Sequence, residues 1–456
     1  MKNLNYKYLL VMLCCLVLSS CDKYLDITPK GKTLLTTVTH YDQWLNDDVL
    51  FIGISSNGTI NYLGDNVDVT TIANPPASAA ELIYTWGDQY SVNINEPPAF
   101  WGDHYAKINL YNTVIVGIDK ATGGTLVKKK SLKAEALLGR ALEYFYLMNE
   151  YCKPYDPATA AQDPGVPFLT SNDVTQTVPP RGTLAELYQH IIEDINAAIP
   201  DLPLDNSANR FRGSVAGGYS TLARVYFYAR NYTAAKTNAD LALANTRAVM
   251  INFNGTLPLT NLLSTHPDVI YGRYILGNIT ATLEHMRSFA SNDLRARMLY
   301  RSSDGYAYTT RGANLFVPTL TTPVFANANT GTSVQEMKLM SAECSARAND
   351  LTTALQLLDD VHKNRFATAT YVKYTSSVQE DVIKEILLER NRELPFHGLR
   401  WFEMRRLDKE NRMGTVNRLN AQGGVIATLP PHSNKYTLQI PYQVMSFNPG
   451  MQQNPN

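Results

Sequence analysis

The chain has 456 residues, of which 45% are hydrophobic and 18% charged, a balance typical of folded globular proteins and not of disordered ones. Its 41 basic and 41 acidic residues give a formal net charge of zero, so the composition provides no electrostatic basis for binding nucleic acid. Tyrosine is abundant, with 27 residues against 14 phenylalanines, and its ring suits both a sugar or peptide surface and the packing of helices.

The N-terminus has the pattern of a secretory signal peptide over residues 1–20: a basic start, an apolar run over residues 8–18 and then small residues. The apolar run is shorter than the ~20 residues that a membrane-spanning helix needs. It ends in Leu-Ser-Ser-Cys21, which resembles the lipobox of bacterial lipoproteins, where the cysteine is acylated after cleavage. We therefore predict lipidation of Cys21 and a lipid-anchored linker over residues 21–32. The alternative is an ordinary signal peptide with an incidental cysteine.

Residues 33–245 are predicted to form an N-terminal helical region, because apolar residues recur there with helical spacing. Thr183 and Glu186 have the spacing of a capping box, which indicates a helix start. The predicted single helices cover residues 33–55, 101–118, 131–151 and 183–200. Residues 56–100 between them are rich in glycine and proline and are predicted to be loops.

Two segments have the small and aromatic residues of a tetratricopeptide repeat, in which paired helices approach closely. The first segment is residues 218–244, and a degenerate second copy covers residues 340–361, with Asn349 and Asp350 at its turn. Since such repeats need neighbours to bury their faces, we predict a mainly α-helical scaffold of tetratricopeptide-like helix pairs.

The rest of the chain divides into an insertion and a C-terminal helical region. Residues 246–335 contain turn signals and short alternating stretches, which predict loops and a few short strands. Residues 336–456 contain a predicted helix over 378–394, with Ser377 and Glu380 as its capping box. From about residue 422 onward the pattern predicts a loop with one extended stretch.

No sequence motif for catalysis, cofactor binding or metal binding is present. The Gly-x-Ser-x-Gly elbow, the His-Glu-x-x-His spacing and the glycine-rich dinucleotide loop are all missing from the sequence. Carboxylates are numerous, so counting them neither identifies nor rejects a glycosidase pair. Outside the signal and lipobox, Cys152 and Cys344 remain, which predicts either one disulfide or two buried thiols. We therefore predict no catalytic residues, no cofactor and no metal, and a function other than catalysis.

Four stretches, in order along the chain, resemble the SusD/RagB family of Bacteroidetes surface lipoproteins. They are the mature start CDKYLDITP at 21–29, the helix and repeat residues within 186–226, the segment LERNRELPFHGLRWFEMRR at 388–406, and the ending over 440–455. Two positions depart from the pattern, since His397 stands where the family usually has glutamate and Glu403 replaces its usual aspartate.

This resemblance implies a tetratricopeptide-like fold that carries a loop-rich face, at the outer membrane. It implies a non-catalytic protein that binds an oligosaccharide or another nutrient and delivers it to a SusC-like TonB-dependent transporter. Aromatic residues in loop contexts, with nearby polar groups, are the candidate ligand residues. These candidates are Tyr84, Trp86, Asn93, Trp101, Tyr306, Tyr308 and Arg311.

The aromatic residues, the charged segment at 389–405 and the predicted function each have an alternative interpretation. The aromatic residues of the loop-rich segment either bind ligand or complete the core. The dense charges at 389–405 are either a ligand site or a buried ion network that fixes helix packing, and the second interpretation is favoured. These charges are Glu389, Arg390, Arg392, Glu393, Arg400, Glu403 and Arg405. The alternative functions are a peptide-binding adaptor and a surface polysaccharide hydrolase.

Overall fold

A computed structural model describes residues 35–54, 58–69, 72–256, 262–276, 279–301, 312–315, 327–420 and 422–455. The predicted signal peptide and lipobox, including Cys21, lie outside the described residues. So do three candidate ligand residues, Tyr306, Tyr308 and Arg311.

The described residues are mainly helical, which confirms the predicted fold class. The α-helices are α1 (Val38–Trp44), α2 (Ala79–Tyr84), α3 (Trp101–Gly117), α4 (Leu126–Tyr151), α5 (Leu184–Ala198), α6 (Val215–Tyr228), α7 (Tyr232–Asn245), α8 (Leu283–Arg287), α9 (Leu294–Leu299), α10 (Val334–Arg347), α11 (Leu351–His362), α12 (Gln379–Glu393), α13 (Arg400–Lys409) and α14 (Tyr442–Phe447). Short 3-10 helices cover Asp48–Phe51, Thr59–Leu63, Ile118–Lys120, Ile199–Asp201, Thr368–Thr370 and Asn434–Tyr436. None of the helices in the described ranges is long and apolar enough to cross a membrane.

The strands are short and pair in four small antiparallel sheets. They are β1 (Val67–Asp68), β2 (Val269–Tyr271), β3 (Tyr274–Leu276), β4 (Thr280–Thr282), β5 (Tyr300–Arg301), β6 (Gly312–Leu315), β7 (Asn327–Asn329), β8 (Thr332–Ser333), β9 (Val416–Leu419) and β10 (Val425–Leu429). One sheet has the order β1-β4-β6-β5, and the pairs β2–β8, β3–β7 and β9–β10 form the others. In the larger sheet Val67 faces Ala281, so a strand from the N-terminal loops joins the strands of the insertion.

The helices pack against one another in succession, and the long α4 lies between two of them. This helix contacts α3 on one side and α5 on the other, while α6 packs against α7, α7 against α10, and α10 against α11 and α12. From Ala134 to Tyr151 nearly every side chain of α4 is buried, including Tyr144, Phe145 and Tyr146. A helix buried on all sides lies at the centre of the core.

The two tetratricopeptide-like pairs, α6–α7 and α10–α11, have turns of the same construction. Arg230 and Asn349 both adopt positive φ angles, 64° and 63°. The following residues, Asn231 and Asp350, cap the second helix of each pair by accepting a hydrogen bond from the backbone N–H three residues later. This repeated turn confirms the predicted relation between the two segments, including the placement of Asn349 and Asp350.

One of the two predicted capping boxes is confirmed and the other is wrong. Thr183 and Glu186 form the predicted capping box of α5. The predicted box of Ser377 and Glu380 was wrong: α12 has Val378 at its N-cap without a side-chain cap. Glu380 instead accepts hydrogen bonds from Arg412 at 2.7 and 2.9 Å. Its carboxylate pairs with a residue 32 positions away in the chain and therefore does not cap the helix.

The predicted loops contain more regular structure than the sequence pattern indicated. Residues 56–100 include α2, which starts with a capping box of Ser78 and Glu81. The C-terminal tail, predicted from about residue 422 to be a loop with one extended stretch, contains β10 and α14, and β10 pairs with β9 just before it. Conversely, the predicted helix over 33–55 is shorter, because α1 ends at Trp44 and a 3-10 turn follows.

Candidate functional site

Most of the charged segment at 389–405 forms a buried ion network, as predicted. Arg400 instead pairs with Asp65 at 2.6 Å, and Arg405 donates to the backbone carbonyls of residues 149 and 152. Arg295 of α9 lies at the centre of one part, with its guanidinium 2.7 Å from Asp293, 2.6 Å from Glu389 and 2.8 Å from Glu393. Arg365 shares Glu393 at 2.6 Å. These side chains are almost entirely inaccessible to solvent, so the network joins α12 to the insertion and offers no surface for a ligand.

A second part of the network joins α13 to α10. Arg406 lies 2.6 Å from Glu343 and 2.6 Å from Glu403. Burial alone would raise the pKa of Glu403, but Arg406 and Arg390 outweigh it and bring the pKa to about 2. Glu403 therefore stays ionised and paired, and the charges act in packing the two helices.

Two candidate aromatic residues, Tyr84 and Trp86, meet around one arginine. The guanidinium carbon of Arg418 lies 4.2 Å from the centre of the Tyr84 ring and 4.1 Å from that of Trp86. Its N–H groups donate to the backbone carbonyls of Tyr84, Tyr62 and Gly64 at 2.8, 2.7 and 2.8 Å. Both rings are nearly fully buried, which agrees with the alternative interpretation that they complete the core.

The two other described candidates lie apart from this arginine. Trp101 is buried at the start of α3, with its ring centre 5.0 Å from those of both Tyr105 and Tyr151. Asn93 is exposed in a loop, where its amide donates to Glu96 at 3.2 Å. Ligand binding by these residues, and by Tyr306, Tyr308 and Arg311, stays a prediction. The predicted loop context is correct for Trp86 but wrong for Tyr84 and Trp101, which lie at the end of α2 and at the start of α3. The sequence also carried no signal of the chain that covers these rings.

A groove of about 760 Å³ opens beside Tyr84 and Arg418. It lies where four distant parts of the chain meet: residues 65–68, 282–288, 388–400 and 413–419. Its polar lining is rich in carboxylates and amides, which accept and donate hydrogen bonds at fixed positions. These groups belong to Asp65, Asn66, Asp68, Glu284, Asn391 and Asn417. No local pattern in the sequence marks these residues, because they become neighbours only in the folded chain.

Some of the groove's polar groups are held by neighbours and others face solvent. Arg400 donates to both oxygens of Asp65 at 2.6 and 2.7 Å. The amide of Asn66 donates to Asn391 at 3.2 Å. Glu284 and Asn417 are exposed, so their side chains are accessible to a ligand in the groove.

His285 lies in the wall of the groove and is neutral near pH 7. Burial, with Arg400 nearby, lowers the pKa of its imidazole to about 3. The ring Nε2 lies 2.8 Å from the hydroxyl of Tyr300. The neutral imidazole therefore contributes to the wall of the groove by hydrogen bonding and not by ion pairing.

The remaining reactive groups are the two cysteines and the side chains of types that bind metals. Cys152 and Cys344 are separate buried thiols, which decides between the two predicted alternatives. Burial raises the pKa of each thiol to about 12, so both are protonated at neutral pH. In the described part of the chain, no group of three histidine, cysteine, aspartate or glutamate side chains is arranged to hold a metal ion.

Comparisons with known families match both halves of the chain. Residues 23–227 match a SusD-like family described as starch-binding and associating with the outer membrane. Residues 334–456 match the SusD family. A comparison with curated proteins gave no match.

Solved structures of low sequence identity share the fold over nearly the whole chain. A SusD superfamily protein from Bacteroides vulgatus is 20% identical, with a TM-score of 0.73, and the match covers 92% of this chain and 99% of that one. One from Bacteroides thetaiotaomicron is 19% identical, with a TM-score of 0.74 and 92% and 100% coverage. A laminarin-binding SusD-like protein is 16% identical, with a TM-score of 0.66 and 92% and 100% coverage.

The mainly helical fold, its paired repeats and the two family matches define the class of protein. The chain belongs to the SusD/RagB family, as the four sequence motifs predicted.

Proposed function

We propose that this protein is a non-catalytic surface lipoprotein that binds an oligosaccharide or another nutrient. In this proposal Cys21 carries the lipid, the protein sits at the outer membrane, and the ligand passes to a SusC-like TonB-dependent transporter. The family match of residues 23–227, described as starch-binding and associating with the outer membrane, is the observation that carries the proposal. The laminarin-binding SusD-like protein of similar fold supports a glycan as the ligand class.

We place the ligand in the groove beside Tyr84 and Arg418. Its volume of about 760 Å³ suits a short oligosaccharide, and its carboxylates and amides suit sugar hydroxyls. Along the chain, residues 302–311 connect β5 and β6 of the same sheet whose strands β1 and β4 line the groove. Tyr306, Tyr308 and Arg311 in that segment therefore remain the proposed aromatic and polar partners of the ligand.

The test is a titration calorimetry screen of the purified protein against laminarin, starch and other polysaccharides, followed by groove variants. For a glycan that binds, Glu284→Ala and Asn417→Ala are expected to weaken binding about tenfold each, because each removes a hydrogen-bonding group from the groove. The matched control is Glu193→Ala on the exposed face of α5, which leaves the affinity unchanged. Unchanged affinity in both groove variants contradicts the placement.

The Trp86→Ala and Trp101→Ala variants are unsuitable as tests of binding on their own. Both rings lie in the core, and truncating a buried aromatic ring costs about 3–5 kcal/mol of stability. A lost affinity in these variants is interpretable only when the variant is shown to be folded. Tyr306→Ala and Tyr308→Ala, in the segment between β5 and β6, are the more direct tests of an aromatic platform.

The two other functions give different results in the same experiments. A surface hydrolase releases reducing ends from the polysaccharide that it binds, whereas the proposed binding protein leaves the polysaccharide intact. A peptide-binding adaptor binds none of the glycans and retains a protein partner other than a transporter. Co-purification of the lipidated protein with a TonB-dependent transporter tests the delivery step directly.

A further inference from the structure

The turn between α3 and α4 exposes apolar side chains at the start of an otherwise buried helix. Leu126 and Val127, the first two residues of α4, are 69% and 77% exposed. Val116, near the end of α3, is 50% exposed. Three exposed aliphatic side chains on one connection are too few for a stable protein interface, which buries about 20–30 residues a side. They are sufficient to enter the boundary region of a lipid layer.

Five lysines surround these apolar residues. They are Lys120, Lys128, Lys129, Lys130 and Lys133. Within the described ranges Lys128 pairs with Asp42 at 2.9 Å and Lys133 with Asp119 at 2.5 Å. The ammonium of Lys129 donates to the backbone carbonyls of residues 119 and 121. Lys120 and Lys130 are exposed. The connection therefore has a local excess of positive charge, although the whole chain is neutral. Basic residues beside apolar ones are the pattern of a surface that binds anionic headgroups.

The N-terminal chain enters the fold at this same turn. The backbone N–H of Val38 donates to the carbonyl of Thr122 at 3.0 Å, and the N–H of Thr122 donates to the carbonyl of Thr36 at 2.8 Å. Gly124, with a φ of +66°, lies against the side chain of Val38, where a Cβ atom would come within 2.9 Å. Residues 36–38 are thus fixed on the turn, and the chain that leads back to Cys21 leaves from it.

The remaining chain is short enough to keep the turn near the lipid. Cys21 precedes the first described residue, Leu35, by 14 positions. A fully extended chain of that length spans about 50 Å at most. A lipid on Cys21 therefore keeps this turn, with its apolar and basic side chains, within one protein diameter of the membrane surface.

We propose that the turn over residues 116–130 is a second membrane contact, in which Leu126 and Val127 enter the headgroup region and the exposed Lys120 and Lys130 face lipid phosphates. This inference rests on the proposed lipidation of Cys21. A lipid chain alone holds a protein in any orientation, whereas a lipid together with a basic and apolar contact fixes one face toward the membrane. The contact would limit the tilt of the protein on its anchor and keep the opposite faces available.

The test is vesicle flotation of the mature chain from residue 22, which lacks only the signal peptide and the lipid attachment site. This chain is expected to float with vesicles of phosphatidylcholine and phosphatidylglycerol at low salt, and not with phosphatidylcholine alone. The double variants Lys120→Glu with Lys130→Glu, and Leu126→Ser with Val127→Ser, are each expected to reduce the bound fraction about tenfold. The matched control is Val372→Ser, at a side chain that is 83% exposed outside the turn, and it leaves flotation unchanged.

Three outcomes overturn the proposal: no flotation of the wild type with either vesicle, flotation of both double variants equal to that of the wild type, or binding of the turn to a purified transporter instead of to lipid. All substituted side chains are exposed, and circular dichroism of each variant checks that it is folded. A negative result in the flotation test can be distinguished from failure of the proposed function. Glycan affinity in solution is independent of the turn, and mass spectrometry of the mature N-terminus tests lipidation of Cys21 separately.

Discussion

His104 of α3 is the most strongly constrained histidine beside the core helix α4. Its Nδ1 lies 2.7 Å from Glu143 and its Nε2 lies 3.4 Å from Glu150, both on α4. Lys107 completes the cluster at 2.7 Å from Glu143 and donates to two backbone carbonyls of residues 52 and 53. Burial would lower the pKa of His104, but the two carboxylates outweigh burial and raise it to about 9. A protonated imidazole is therefore part of how α3 and α4 pack.

This pKa makes part of the folding free energy dependent on pH. Because the pKa of His104 rises from 6.5 to about 9 on folding, its contribution is complete below pH 6.5 and is lost as the pH rises toward 9. We expect the wild type to lose on the order of 3 kcal/mol of unfolding free energy over that window, and His104→Gln to show a much smaller decrease. Urea unfolding at several pH values measures this, with His432→Gln, at an exposed histidine, as the control. Parallel pH profiles of wild type and His104→Gln would contradict the assignment.

The packing of α3 against α4 depends on a glycine that helix propensity disfavours. The ring of Tyr111 from α3 lies over Gly139 of α4, where a Cβ atom would come within 2.2 Å of the tyrosine Cζ. A glycine inside a helix costs roughly 0.5–1 kcal/mol relative to alanine, so its presence here reflects the close approach of the two helices. Helix propensity favours alanine at position 139, whereas the close packing of Tyr111 requires glycine.

Gly139→Ala is therefore expected to destabilise the protein even though alanine favours helix. We expect a loss of about 1–3 kcal/mol, because the added methyl group forces the tyrosine ring and the helices apart. Thermal or urea unfolding measures the loss. Gly414→Ala is the matched control, since a Cβ atom there meets no other atom within 4 Å. A stability of Gly139→Ala equal to that of the control would show that the helices do not approach as closely as described.

Arg418 connects parts of the molecule that are far apart in the chain. It lies on β9 in the C-terminal hairpin, yet its three hydrogen bonds reach carbonyls of residues 62, 64 and 84. Burial lowers the pKa of its guanidinium to about 10, so the group stays charged at neutral pH between two aromatic rings. The hairpin thereby fixes the N-terminal loops that form one side of the candidate groove.

Replacing Arg418 is expected to affect both stability and ligand binding. Arg418→Met leaves three buried carbonyls without their donor, so we expect a loss of about 3 kcal/mol or more in unfolding free energy. Glycan affinity is expected to fall as well, because residues 62–84 lose their fixed position beside the groove. Arg287→Met, at an exposed arginine on α8, is the control for both measurements. If Arg418→Met matches this control in urea unfolding, the hairpin does not hold the N-terminal loops.

The sequence alone determined the features that depend on neighbouring residues. Helical periodicity predicted the repeats, the spacing of Thr183 and Glu186 predicted the start of α5, and four motifs predicted the family. These succeed because amphipathic spacing, capping and turn geometry act within a few residues of the chain. The charges at 389–405 were also predicted to form a buried network, since so many fixed charges within a few helical turns must pair when they are buried.

Only the tertiary structure decided which side chains are buried and which residues they contact. The sequence did not reveal that Tyr84 and Trp86 enclose Arg418, that Arg412 pairs with Glu380, or that a polar groove forms between four distant segments. In each case the partner lies tens to hundreds of residues away in the chain. Burial and ion pairing depend on contacts that exist only once the helices have packed, and no local pattern records them.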